Sequence, residues 1–277
     1  MPPLSIKFPR PIPLEVTVYG PDNALKAASY GAKRLLLCQK GSSKQGGLTP
    51  GLEELSALKG RVHIPISCVI RPRGAPDPTR PGELHDYIYS NNELVLMSMA
   101  IRQLKETGVM NPLRGDAFVF GCLRRHHEAS SDKARERIII DRAFCRYLVS
   151  IAKPYGCVFS RAFDHFAERG EWQDSIAELA TIGFTGFMTA GGQGCFSNHI
   201  DRLGAMCNHL DHIQLIVAGG SFCPEIKKLR KHAHKFNTNS VWMNGECLSP
   251  EDNHDPETAD VNGVMSLIDQ LGLMSGD

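Results

Sequence analysis

Eight short apolar runs recur along the chain, each followed by a helix-like stretch, and this alternation constrains the fold most. The runs cover 14–19, 34–38, 63–70, 116–121, 156–161, 185–189, 213–218 and 240–244. The intervening and closing helices are expected over 22–30, from Thr49-Pro50 to 58, and over 91–108, 135–152, 174–182, 200–208, 224–235 and 261–271. The third of these carries Leu94, Met97, Ile101 and Leu104 at helical spacing. Thr49-Pro50 has the polar-then-proline pattern of a helix start. Strands separated by helices pair in parallel through crossovers. Eight such units in one chain of 277 residues predict an α/β fold, a single-domain (β/α)8 TIM barrel over 14–277. An open doubly wound sheet is the alternative, but no GxGxxG follows the first strand.

Residues 1–13 are proline-rich and read as an N-terminal arm, not as a secretory signal. Two segments exceed the usual strand–helix loop, 75–92 and 124–136, and both are expected to be loop inserts. The polar, acidic tail over 249–258 is expected to be mobile. A net charge of +1 gives no field to attract nucleic acid or an anionic membrane. No apolar run approaches the roughly 20 residues needed to cross a bilayer. Nine cysteines, an odd number without a CxxC pair, fit buried free thiols in a reducing cytosol better than a disulfide framework.

Chemistry in such a barrel gathers at the C-terminal ends of the strands. Glu15 stands between apolar neighbours in the first strand, so burying it demands a cationic partner or a metal. Arg71, Arg73 and Arg161 are the candidate partners. Arg71 and Arg73 flank a proline at the end of the third strand and can fork onto a carboxylate or phosphate. Arg161 and Asp164 follow the fifth strand. The turns Gly191-Gly192 and Gly219-Gly220 can bring backbone amides close to an anion, although tight turns use glycine in any case. Cys38 ends the second strand and is packing, a nucleophile or a soft-metal ligand. His126-His127 and the group Cys207, His209 and His212 read as solvated.

The stretches LEVTVYGPDNALKAASYGAKRLLLC, QGGLTPGLEEL, IPISCVIRPRG, YIYSNNE, DAFVFG, FSRAFD, TAGG and VAGG, in this order, resemble the CutC copper-homeostasis family. The resemblance runs from about Leu14 to Gly220. It implies a (β/α)8 barrel, copper handling in the cytosol, a copper site built on two strand-end cysteines, and a homo-oligomer. The chain departs from the family at Thr17, where a cysteine is usual. It departs again at Tyr19, Leu36, Gln45 and Ser160, where the family carries acids or a histidine, and in its last strand, VWMNGEC. Three readings follow. The first is a copper-binding homeostasis protein using Cys38 at the barrel mouth. The second is an enzyme of a small anionic, phosphate-bearing metabolite. There Glu15 or Asp164 is the acid or base, Arg71 and Arg161 are the clamp, and Arg73 and the four glycines are the anion site. The third is a diverged binding module whose mouth is filled by side chains. With three arginines kept and several acids replaced, the mouth is expected to favour an anion.

Overall fold

The computed structural model describes residues 11–77, 86–128, 135–210, 212–220, 226, 240–249 and 256–272. The strands are β1 (Leu14–Tyr19), β2 (Arg34–Cys38), β3 (Ile66–Val69), β4 (Ala117–Phe120), β5 (Leu123–Glu128), β6 (Arg135–Ile140), β7 (Gly156–Phe159), β8 (Gly186–Thr189), β9 (Gln214–Val217) and β10 (Val241–Gly245). Eight of them close a parallel barrel in the order β1-β10-β9-β8-β7-β4-β3-β2, as the alternation predicts. The helices are α1 (Pro21–Ser29), α2 (Leu52–Ser56), α3 (Asn91–Glu106), α4 (Arg142–Ala152), α5 (Asp164–Glu168), α6 (Trp172–Ile182), α7 (Ile200–Met206) and α8 (Val261–Leu271). The helix expected over 224–235 falls outside the described residues, apart from Ile226.

Period-2 alternation sorts each strand between two cores. Leu14, Val16 and Val18 of β1 join the shell between sheet and helices, with Leu35, Leu37, Phe118 and Phe187. Tyr19 faces inward, with Leu36, Cys38, Val69, Val119, Val158, Met188, Ile216 and Ala218. Helix α3 shows why local sequence and packing agree. The Ser90 hydroxyl accepts the Glu93 amide, the Glu93 carboxylate accepts the Ser90 amide, and Met97, Ile101 and Leu104 are buried. Each such side chain contributes about 1.5–3 kcal/mol.

The insert at 124–136 is not a loop. Strands β5 and β6 form an antiparallel hairpin, with Leu123 opposite Ile140 and His127 opposite Glu136. The helix expected from residue 135 therefore starts at Arg142. Ile138, Ile139 and Ile140 are β-branched and pair across the hairpin. Asp141 then caps α4 by accepting the Phe144 amide at 3.0 Å. In the other insert, residues 78–85 lie outside the described part. After it, Ile88 is bridged to Leu123. The tail expected to be mobile is anchored at its described ends. Ser249 donates to Thr258, Leu248 bridges Ala259, and the buried Glu257 carboxylate accepts the Gly41 and Ser43 amides. Residues 250–255 lie outside the described part.

Candidate functional site

The C-terminal ends of the barrel strands open into a cavity of about 1390 Å³. Its floor is the inward face of the barrel: Leu36, Val69, Val119, Met188 and Ala218. Polar groups of the first strand bond toward the end of the last. Thr17 donates to Asn244 Oδ1 at 3.1 Å, and the Tyr19 hydroxyl donates to Glu246 Oε1 at 3.1 Å. Tyr19 and Leu36 occupy part of the interior, but the mouth is open, which runs against a barrel mouth filled by side chains.

Glu15 is not at the mouth. It sits at the opposite end of the barrel, fully buried, and its ion-pair partner is Arg34 of β2 rather than Arg71, Arg73 or Arg161. Asn244 donates to its other oxygen at 2.9 Å. The Arg34 guanidinium reaches Gln214 at 3.4 Å and stacks on the Trp242 ring at 4.0 Å. Register neighbours decide this outcome: Glu15 pairs across the sheet with Arg34 on one side and Asn244 on the other.

The three mouth arginines each carry a carboxylate. Arg71 grips both oxygens of Asp86 at 3.1 Å and the Gly46 carbonyl at 3.1 Å, while its buried Nε has no partner among the described residues. Arg73 is tied to Glu93 at 2.6 Å and to the Ile88 and Gly74 carbonyls. It fastens β3 to the start of α3. Arg161 donates through Nε to Asp164 at 2.8 Å and through one terminal nitrogen to the Gly194 carbonyl at 3.2 Å. The expectation of a mouth poor in acids is thus corrected, because Asp86, Glu93 and Glu246 line it too. Two signals for them stood in the sequence: the Ser90-to-Glu93 capping spacing, and the alternation Trp242, Asn244, Glu246 along the last strand. Asp86, which follows the segment 78–85, left no such signal.

Of the three, Arg161 is the most open, with 37% of its side chain exposed against 11% for Arg71. Its partner Asp164 is held by the Thr189 hydroxyl at 2.5 Å and the Ala190 amide at 2.8 Å. Burial nevertheless pushes the Asp164 carboxyl above its ordinary value, while Arg161, Thr189 and Ala190 pull the other way. Gly219, at φ +89°, leaves room for the Arg161 guanidinium, since a Cβ there would lie 3.2 Å from its terminal nitrogen. The Gly191-Gly192 turn faces elsewhere. The Gly191 amide donates to Thr189, and the Gln193 amide, just past the turn, donates to Glu168. Of the four glycines, Gly219 and Gly220 line the cavity.

Cys38 lines the floor but is covered by the turn at Gly47, where a Cβ would lie 2.6 Å from its sulfur. Burial, and next the Glu246 carboxylate, push its thiol well above the ordinary value. Cys68, on the adjacent strand, packs in the outer shell, on the other side of the sheet. Among the described residues no three His, Cys, Asp or Glu side chains come together as a metal set. One protonated thiol without a second sulfur is a poor donor set for Cu(I).

Sequence comparison now decides the relationship. The family model described as "CutC family" matches residues 12–237, most of the chain. The chain belongs to the CutC family. A human protein named copper homeostasis protein cutC homolog is 32% identical over 190 residues, covering 69% of this chain and 57% of that protein. The mouse protein of the same name is 30% identical over 274 residues, covering 92% of this chain and 87% of its own. The crystal structure of a putative copper homeostasis protein CutC from Streptococcus agalactiae superposes with a TM-score of 0.65 at 21% identity, over 85% of this chain and 98% of that one, and shares the barrel fold. In this CutC-family chain, Thr17, Tyr19, Leu36, Gln45 and Ser160 all line the mouth. Thr17 and Tyr19 bond to the last strand, Leu36 is floor, Gln45 is wall, and the Ser160 hydroxyl accepts the Ala162 amide at 3.4 Å.

Proposed function

We propose that this chain serves copper homeostasis, as its relatives are named, and that its barrel mouth takes a small organic molecule carrying an anionic group. The observation that carries this reading is the open edge of Arg161. Its guanidinium lies beside the Gly219-Gly220 turn, over a cavity of about 1390 Å³ with an apolar floor. A guanidinium held by a carboxylate through one nitrogen keeps further donors for an incoming anion. Asp164, whose carboxyl sits above the usual range, is the group best placed to exchange a proton at the same spot. Arg71 serves as wall rather than clamp, because Asp86 and Gly46 occupy its donors. Eight free cysteines among the described residues support a reducing compartment, hence the cytosol. The apolar exposed residues Val95, Leu96 and Met99 on α3, with Leu52 on α2, support self-association.

Calorimetric titration of wild type and Arg161→Gln with inorganic phosphate and with short carboxylates tests the anion reading. Saturable binding that falls at least tenfold in the variant is expected. Equal binding by both proteins would sink it.

Direct copper binding through Cys38 is the second reading, favoured by the names of the relatives and by the presence of a thiol in the mouth wall. It requires the Gly47 turn to lift and the thiol to lose its proton.

A further inference from the structure

Tyr87 has no role so far, although its backbone is costly. It adopts φ +65°, a conformation that bulky side chains avoid and that persists only when the surroundings impose it. The surroundings do so from both sides. Its amide donates to Asp86 Oδ1 at 2.9 Å, its carbonyl accepts the Leu123 amide at 2.9 Å, and the next residue bridges Leu123. The result places a phenol in the wall of the cavity. The ring lies 5.1 Å from the Arg71 guanidinium. Arg161 and Asp164 line the same cavity, and their charges act on the phenol. Burial pushes it up to about 12, the two arginines opposing, so the O–H is a donor at neutral pH. No hydrogen bond reaches that hydroxyl among the described residues. A half-buried donor kept without a partner, at a strained backbone position, between two arginines, is suited to an acceptor that arrives from outside.

The floor below adds a second requirement. Leu36, Val69, Val119, Met188 and Ala218 present one continuous apolar surface to the cavity. A bare inorganic anion would leave it in contact with water.

We propose that Tyr87 is the specificity-determining residue of the mouth: its hydroxyl donates to an anionic group docked on Arg161, and the ligand is an organic anion whose apolar body lies on the Leu36–Val69–Val119–Met188 floor. This rests on the reading of the mouth as an anion site. It adds the class of ligand and the residue that reads it.

The experiment titrates the full chain with inorganic phosphate and with straight-chain carboxylates from acetate to octanoate, using wild type, Tyr87→Phe, Leu36→Gln and Arg161→Gln. Wild-type affinity is expected to rise about fourfold per added methylene until the floor is covered. Tyr87→Phe should bind about ten- to 150-fold more weakly at every chain length with the same slope, as loss of one hydrogen bond to a charged group requires. Leu36→Gln should flatten the slope, so that octanoate loses more affinity than acetate does. Phosphate binding as tight as octanoate, or a flat series, would overturn the apolar-body claim while leaving the anion reading standing. Unchanged affinity in Tyr87→Phe would overturn the role of Tyr87. Absence of binding for every probe, or binding indifferent to Arg161→Gln, would sink the anion reading itself and this inference with it.

Discussion

The two ends of the barrel use the same chemistry to opposite purposes. At the N-terminal end, Glu15 and Arg34 are sealed, with side-chain exposures of 0% and 7%, and Asn244, Gln214 and Trp242 complete their surroundings. At the C-terminal end, Arg161 and Asp164 face a cavity and stand at 37% and 11%. A sealed pair costs several kcal/mol to desolvate and is then expensive to break. An open pair contributes little to stability and can change partners. A guanidinium–carboxylate pair inside a barrel therefore says nothing of function until its depth is known.

The sharpest way to break that contrast is at the sealed end. Glu15→Ala leaves the Arg34 charge buried without its acid and should cost about 3–5 kcal/mol in urea unfolding. A loss under about 1 kcal/mol would mean that water reaches the lower end.

Asp164→Asn is expected to change stability by about 1 kcal/mol or less at neutral pH. Its pH dependence is more telling. The folded carboxyl titrates above its ordinary value of 3.8, so the native state holds that proton more tightly than the unfolded chain does. The stability it lends is full below 3.8 and is lost as pH rises through the folded value. Wild type should therefore lose stability relative to Asp164→Asn on going from about pH 4 toward neutrality. A wild type that gains stability relative to Asp164→Asn over the same range would show that Arg161 outweighs burial.

Arg161→Gln should have the smallest effect on unfolding, under about 1 kcal/mol, since the pair is open and screened. Its consequence should appear in ligand binding instead. A variant that unfolds markedly more easily would place Arg161 with the sealed Glu15–Arg34 pair, as scaffold.

The same contrast explains what the sequence disclosed. Barrel, strand order and inward face were legible because apolar runs and helical runs alternate and because strand positions two apart share a face. Glu15 was visible as a buried charge, but its partner was not, since Arg34 lies one strand away in a register that no local pattern encodes. The hairpin was hidden because LRRHHE looks like a polar loop and the three isoleucines run straight into α4. Arg71, Arg73 and Arg161 were visible as strand-end cations. The Arg161–Asp164 pair is local, three residues apart, but the pairing of Arg71 with Asp86 and of Arg73 with Glu93 depends on how the chain folds back over the mouth, which spacing does not specify.

The most direct test of this account is a Cu(I) competition titration against a chromogenic chelator under reducing conditions, with wild type and Cys38→Ser side by side. A mouth built for an organic anion, with its one strand-end thiol buried and protonated, predicts that the two proteins compete for Cu(I) equally and weakly. Tight stoichiometric binding by wild type that is lost in Cys38→Ser would contradict it and make the mouth a copper site.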